Sequence, residues 1–187
     1  MRVCVLMGSP RPNGNTARLC DAFINELELH KAEVEYIALH GKNIMPCAGC
    51  FHCQDVAGEY GCILRDDMQD IIESILRADA LIYATPIYTW QATAPLKAVM
   101  DRMFGLNKFY GTAPREVINK TKIVGLIATC GYEPKYAADL LDEAVKRWCK
   151  HSGIPYVGMY AVSDDSINDL AVAGIREFAK MIRTEVN

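Results

Sequence analysis

The sequence is informative first for what it lacks. No Gly-Lys-Ser or Gly-Lys-Thr tripeptide occurs in it and no Gly-x-Gly-x-x-Gly, so it carries neither a Walker A loop nor the dinucleotide fingerprint. No apolar run reaches the length of a membrane span, and the apolar stretch near the start breaks at Gly8-Ser9-Pro10, too early for a signal-peptide core. Basic residues are not in excess: the formal net charge is -3, which argues against nucleic acid and anionic membranes as main partners, since both favour a basic face. Internal repeats and low-complexity segments are also missing. What remains is the expectation of a cytoplasmic chain of 187 residues, 51% of them hydrophobic, forming one domain over 1–187 with a cysteine-rich insertion at about 40–66. Eight cysteines in such a compartment read as thiols, ligands or redox groups rather than a disulfide framework, and four of them fall within residues 47–62.

The stretch Met7-Gly8-Ser9-Pro10-Arg11-Pro12-Asn13-Gly14-Asn15-Thr16 lies between an apolar run, Arg2 to Met7, and a pattern with Leu19, Phe23 and Leu27 on one helical face. The run reads as a buried parallel strand, and Asn15 or Thr16 reads as the N-cap of the helix. Strand, small polar loop and helix N-terminus together make an anion site, because unpaired N–H groups and the positive end of the helix dipole converge there. Ser9, Asn13, Asn15 and Thr16 offer hydroxyl and amide groups, and Arg11 offers a charge. The alternative is an ordinary polar turn.

Further along, Glu33 to Leu39 reads as a second strand near the sheet edge. Asp66-Asp67 opens a helix with Met68, Ile71, Ile72 and Ile75 on its apolar face, and the acidic pair reads as capping. Ala80 to Thr85 is a third strand, followed by a helix from about Thr93 to Phe104, on whose surface Lys97 and Asp101 can pair. Residues 105–121 read as an excursion, Lys122 to Thr129 as strand four, and Tyr136 to Ser152 as a helix stopped by Gly153 and Pro155, with His151 in its last turn. Tyr156 to Val162 and Asn168 to Thr184 complete five strands alternating with five helices. That alternation implies an α/β fold, a parallel sheet covered on both faces.

In open sheets of this kind ligands bind beyond the carboxyl ends of the strands, which puts loops 8–16, 85–91 and 129–134 on one rim. Apart from Glu133 the second and third loops carry no strong acid or base. The rim suits a phosphorylated, flat, largely apolar cofactor that brings its own chemistry. Backbone N–H groups of 86–91 suit a flavin's pyrimidine edge, with Tyr88 or Trp90 against the ring; loop packing or a subunit contact is the other reading of those two side chains.

These residues carry a resemblance. Gly8-Ser9-Pro10-Arg11-x-x-Gly14-Asn15-Thr16, Pro46-Cys47-x-Gly49-Cys50-x-x-Cys53, Asp66-Asp67-Met68, Thr85-Pro86-Ile87-Tyr88 and Leu96-Lys97-x-x-x-Asp101-Arg102 follow one another as in the NADPH-dependent FMN reductase and iron-sulfur flavoprotein group, which the chain resembles over nearly its whole length. The resemblance implies a flavodoxin-like three-layer sandwich with strand order 2-1-3-4-5, non-covalent FMN, and a homodimer or homotetramer with flavin near a subunit interface. It implies that Ser9, Arg11, Asn13, Asn15 and Thr16 hold the phosphate. It also implies that Pro86, Ile87, Tyr88 and Trp90 line the ring and ribityl chain, and that Thr129, Cys130, Gly131 and Tyr132 close the site.

Cys47, Cys50 and Cys53 have the C-x2-C-x2-C spacing, with Cys62 following after Gly58 and Gly61. Three closely spaced thiolates suit three irons of a [4Fe-4S] cluster whose fourth ligand returns from a flexible loop. Zinc, with His52 as a substitute ligand, is a second reading, and metal-free thiols or a Cys50–Cys53 redox pair a third. The gap from Cys53 to Cys62 is longer than the compact spacing of the iron-sulfur flavoproteins. Strand two is the sheet edge away from the ring-binding loops, so a cluster here is expected nearer a neighbouring subunit's flavin than its own. Cys4, Cys20 and Cys149 read as small buried side chains.

The expected function is an FMN-dependent oxidoreductase taking hydride from NAD(P)H at FMN N5 and reducing a quinone, flavin or similar acceptor, with no acid–base residue. The alternative is an iron-sulfur flavoprotein carrying electrons from a ferredoxin without small-molecule turnover; a zinc-stabilised interaction module is a third class.

Overall fold

The computed structural model describes residues 1–186. Three apolar runs become the central strands, β1 (Arg2–Met7), β3 (Ala80–Pro86) and β6 (Ile123–Cys130), buried along almost their whole length. The half-exposed β2 (Glu33–Ala38) and β7 (Tyr156–Ser163) flank them. The order is β2-β1-β3-β6-β7 with every neighbouring pair parallel. Counting only the strands of this sheet, that is the 2-1-3-4-5 order of a flavodoxin-like fold, as expected. A two-residue hairpin, β4 (Asn107–Lys108) with β5 (Glu116–Val117), lies within the excursion that precedes β6.

Alternation along the strands splits the core in two, because successive side chains of a strand point to opposite faces. Val3, Val5 and Met7 join Ile82 and Ala84 against α1 (Asn15–Leu29) and α6 (Asp169–Val186). Cys4, Leu6, Leu81 and Tyr83 join the other layer, with α2 (Met68–Arg77), α3 (Ala94–Arg102) and α5 (Asp139–Ser152). Phe23 of α1 is wholly buried against Phe178 of α6, and burial of such a ring stabilises by about 1.5–3 kcal/mol. Cys4, Cys20 and Cys149 are buried core residues, and burial pushes the thiols of Cys4 and Cys149 up to about 12, which leaves them chemically inert.

Three boundaries differ from expectation for stated reasons. The N-cap of α1 is Gly14 rather than Asn15 or Thr16. Both of those side chains are drawn into long-range hydrogen bonds instead: Asn15 Nδ2 donates to Asp164 at 2.9 Å, and the Thr16 and Thr129 hydroxyls are 2.8 Å apart. The third helix ends at Arg102 and tightens into a 3-10 turn over Met103–Leu106. The helix expected from Tyr136 begins at Pro134 and breaks at Ala138, whose φ of -113° leaves the helical range, so a short α4 (Pro134–Ala137) precedes α5. Gly153, at φ 68°, ends α5 as expected. Lys97 and Asp101 pair on the exposed face of α3. No helix among the described residues is long and apolar enough to cross a membrane.

Candidate flavin and cysteine sites

The first rim loop leaves β1 at Gly8, where there is no room for a side chain: a Cβ would sit 2.7 Å from Thr93 Oγ1 and 2.9 Å from Leu96 Cβ. Gly8 donates to Ala84 O and accepts from Thr93 Oγ1, both at 2.7 Å, which pins the loop to β3 and α3. Ser9 Oγ is buried and accepts from the Arg11 amide at 3.1 Å, while Gly14 donates to Arg11 O, closing a tight turn. Arg11 and Asn13 are exposed. Among the described residues the amides of Asn15, Thr16 and Ala17, the first three of α1, donate to no protein acceptor, as expected of a helix start without a side-chain cap. The Thr16–Thr129 bond ties this loop to the end of β6. Asp164, which follows β7, brings a carboxylate to the same place through Asn15; nothing in the local sequence pattern singled it out.

The second loop is a two-residue hairpin turn. Tyr88 and Gln91 exchange backbone hydrogen bonds of 2.9 and 3.0 Å around Thr89 and Trp90, whose φ values are 50° and 60°. Positive φ at both central positions is the type I′ pattern, normally filled by Asn and Gly. Two bulkier residues there cost about 1–3 kcal/mol each. The Ile87, Tyr88 and Gln91 amides are bonded within the protein and Pro86 has none, so Thr89 and Trp90 supply the backbone donors of this loop that have no acceptor among the described residues. Trp90 Nε1 donates to Tyr136 O at 3.1 Å.

The third loop follows the last residues of β6. Cys130 is buried, its thiol donates to Tyr132 O at 3.1 Å, and burial pushes its pKa up. A cavity of about 210 Å³ lies between the second and third loops, lined by Ile87, Thr89, Trp90, Cys130, Gly131, Tyr132 and Ala137. Pro86 and Thr129 are register partners across β3 and β6 at its base. Tyr88, half exposed, and the residues of the first loop lie outside it. Tyr132 is 72% exposed.

The cysteine segment runs from the end of β2 to α2 with only a 3-10 turn at His52–Gln54. All of Cys47, Cys50, Cys53 and Cys62 are free thiols and line a single cavity of about 100 Å³, together with Phe51, Leu64, Arg102, Phe104 and neighbouring small residues. His52 lines a different groove. Among the described residues no three His, Cys, Asp or Glu side chains converge closely enough to hold a metal ion.

Three residues anchor this segment, and sequence pattern assigned none of them a role. Gln54, fully buried, donates to Phe104 O at 3.0 Å and accepts from the Phe109 and Tyr110 amides at 3.1 and 3.3 Å, riveting the segment to the excursion before β6. Arg102 is 2% exposed; its Nη1 donates to Asp66 and to Met45 O, and its Nη2 to Cys62 Sγ at 3.5 Å. Asp66 also accepts from the Met45 and Met68 amides, so it both holds the first amide of α2, one residue ahead of the N-cap Asp67, and faces Arg102. Burial opposes its charge, but the hydrogen bonds from Arg102 and the two amides outweigh burial and hold its carboxyl below the usual range. Lys108 is 1% exposed, donating to Cys53 O at 2.6 Å and Tyr60 O at 3.3 Å, and burial lowers its pKa. Burial likewise raises the pKa of Cys53.

Residues 1–168 match the family described as NADPH-dependent FMN reductase. An iron-sulfur flavoprotein of Archaeoglobus fulgidus is 35% identical over 162 residues, which cover 87% of this chain and 68% of that one. An iron-sulfur flavoprotein of Methanocaldococcus jannaschii is 37% identical over 102 residues, 54% of this chain and 51% of that one, so the match spans only about half of this second relative. The backbone superposes on an NAD(P)H:quinone oxidoreductase from Methanothermobacter marburgensis with a TM-score of 0.75 over 96% of this chain and 94% of that one, at 19% identity, a likeness of fold alone. A flavodoxin-like sheet and a match across 168 residues lead to one conclusion: the chain belongs to the NADPH-dependent FMN reductase family of flavin-dependent oxidoreductase enzymes.

Proposed function

We propose that this protein uses FMN to take hydride from NAD(P)H and to reduce a quinone, a free flavin or a similar acceptor. The observation that carries the reading is the division of labour on the rim. Unpaired amides and a guanidinium stand at the start of α1, and an aromatic cavity lies between the β3 and β6 loops. When bound, FMN supplies the redox chemistry, accepting hydride at N5 and passing the electrons on. The chain's residues bind and orient. The amides of Asn15, Thr16 and Ala17 receive the phosphate, with Ser9, Arg11 and Asn13 beside them. Thr89 and Trp90 offer N–H groups to the ring's polar edge, Pro86, Ile87 and Tyr88 border the ring and ribityl chain, and Thr129, Cys130, Gly131 and Tyr132 close the site. None of these residues acts as a general acid or base; orientation and exclusion of water are the protein's share.

A second reading, an iron-sulfur flavoprotein that carries electrons from a ferredoxin-type donor, is favoured by the cysteine cavity. Four soft donors share one cavity that the buried Arg102 also lines, Lys108 is buried beside it against Cys53 O, and among the described residues Arg102 Nε has no partner there. That environment fits an anionic, thiolate-ligated [4Fe-4S] group held by Cys47, Cys50, Cys53 and Cys62. A zinc tetrathiolate is anionic too but needs its ligands to converge on one ion, which among the described residues they do not, and neutral metal-free thiols leave the cations without a partner. In a homodimer or homotetramer the exposed Tyr88, Trp90 and Tyr132 gain cover, and the cysteine segment, leaving from the edge strand β2, reaches toward the neighbouring subunit's flavin.

The visible spectrum of anaerobically purified protein, with iron and acid-labile sulfide analysis, tests both readings. Flavin bands with steady NAD(P)H oxidation in the presence of a quinone support the reductase. An added broad absorbance bleached by dithionite supports the cluster. A colourless, flavin-free protein would sink the first reading, and an iron-free one the second.

A further inference from the structure

The cysteine cavity is built on charge that the thiols themselves do not need. Beneath it Arg102 and Lys108 are both almost wholly buried, and only one carboxylate, Asp66, is buried with them. Lys108 meets two carbonyl oxygens and no carboxylate among the described residues. Buried cations are normally paired, because removing an ammonium or guanidinium from water is unfavourable unless an opposite charge replaces the solvent. With neutral thiols above it, this ledge holds one positive charge more than it holds negative.

Direction matters as much as count. Arg102 divides its fork: Nη1 is held by Asp66 and Met45 O, and Nη2 is left to point at the Cys62 sulfur at 3.5 Å. Lys108 reaches the backbone of Cys53, so the two cations attend the third and fourth cysteines of the set, the two less exposed ones. The remaining donor of the guanidinium, Arg102 Nε, is buried and finds no acceptor among the described residues. Among the described residues the ledge pairs two buried cations with one buried carboxylate, and the rest of its acceptors are neutral.

We propose that Arg102 and Lys108 are the counter-cations of the cysteine cavity, and that the N–H donated by Arg102 to the Cys62 sulfur raises the reduction potential of the iron-sulfur group held there. The inference rests on the cluster reading above. A thiolate-ligated cluster is anionic and gains one further negative charge when it takes up one electron. A fixed cation and a hydrogen bond at a ligand sulfur therefore favour the reduced form, and both are recognised determinants of cluster potential. Arg102 is suited to this because a guanidinium stays charged, and Asp66 is the positioning residue that fixes its fork.

The test is a redox titration of the anaerobically purified protein, following the cluster by electron paramagnetic resonance, with iron and sulfide measured on each sample. Arg102→Gln combined with Asp66→Asn removes the pair together, so that neither partner is left as an unpaired buried charge. Lys108→Met keeps the volume and removes the ammonium. Each is expected to disfavour reduction at least tenfold, a fall of 59 mV in the midpoint of a one-electron couple. Arg102→Lys, which keeps the charge and the fold and loses the fork, is expected to fall by less. Loss of iron from a folded Lys108→Met protein also supports the counter-cation role. A full complement of iron with midpoints unmoved in all three variants overturns the proposal and leaves the cluster standing. Wild-type protein free of iron and sulfide overturns the cluster reading itself.

Discussion

The rim and the cysteine cavity carry their costs in different currencies. The rim is built from backbone: its candidate anion site is the open end of α1, and its second loop stores strain as positive φ at Thr89 and Trp90. The cysteine cavity is built from side chains that meet across long stretches of chain, and its cost is desolvated charge at Asp66, Arg102 and Lys108. Backbone sites follow from the ends of regular elements, so the fold itself delivers them. Side-chain sites such as the cavity depend on particular partners, and a single substitution can dismantle them. The two regions should therefore fail separately.

The largest separation is expected at Asp66. Asp66→Ala leaves the buried Arg102 guanidinium unpaired and should destabilise the protein by about 3–5 kcal/mol in urea unfolding, with FMN affinity of the folded fraction unchanged. A parallel loss of FMN affinity would merge the two regions. The same residue sets an acid limit. Its carboxyl sits below the ordinary 3.8 in the folded protein, so below that value the unfolded chain binds the proton first. The stabilisation is complete above pH 3.8 and is lost as pH falls through the lower folded value. Urea midpoints taken between pH 5 and pH 3 should drop more steeply for wild type than for Asp66→Asn; equal slopes would show that the carboxyl is not held low.

Gln54→Leu comes next. It removes one donor and one doubly used acceptor from a fully buried position, which should cost about 1–3 kcal/mol and release the backbone of 105–113 to faster amide exchange. Amides of the 8–16 loop should exchange as before. Faster exchange in both segments would mean that the cavity and the rim open as one unit.

What was legible in the sequence follows the same division. The five strands, their parallel arrangement and the three rim loops could be read because apolar runs, glycine turns and helix starts are local signals, whereas the strand order followed from the family resemblance. The C-x2-C-x2-C spacing was equally local, and the structure gathers Cys62 with the other three in one cavity. The anchors were not legible. Gln54 looks like any polar loop residue, Lys108 like a surface cation, and Arg102 like the charged end of an amphipathic helix; each acquires its partner from some 36 to 57 residues away. The N-cap of α1 was misplaced for the same reason, since the partners that draw off Asn15 and Thr16, Asp164 and Thr129, are more than a hundred residues distant.

On the rim, Asn15→Ala with Thr16→Ala should weaken FMN binding about tenfold, the order of one hydrogen bond of about 1.4 kcal/mol, measured by quenching of flavin fluorescence. The amides survive the substitution, and the side chains are already committed to Asp164 and Thr129, so what is lost is the fixing of the loop. Iron content and the unfolding contribution of Asp66 should not change. Unchanged FMN affinity would remove both side chains from the site.

The smallest effect is the most direct test of strain. Thr89 holds φ 50° as the first central residue of the turn, a left-handed conformation that a β-branched side chain resists and that asparagine tolerates. Thr89→Asn keeps a polar group of similar size and should stabilise the folded protein by about 1 kcal/mol, read as a small rise in the urea midpoint. If the strain serves the site, the relaxed turn will also present the Thr89 and Trp90 amides less firmly, and FMN will bind slightly more weakly even as the protein becomes more stable. A gain in both would mean that the turn carries strain without using it, and the contrast between a strained rim and a charged cavity would then rest on the cavity alone.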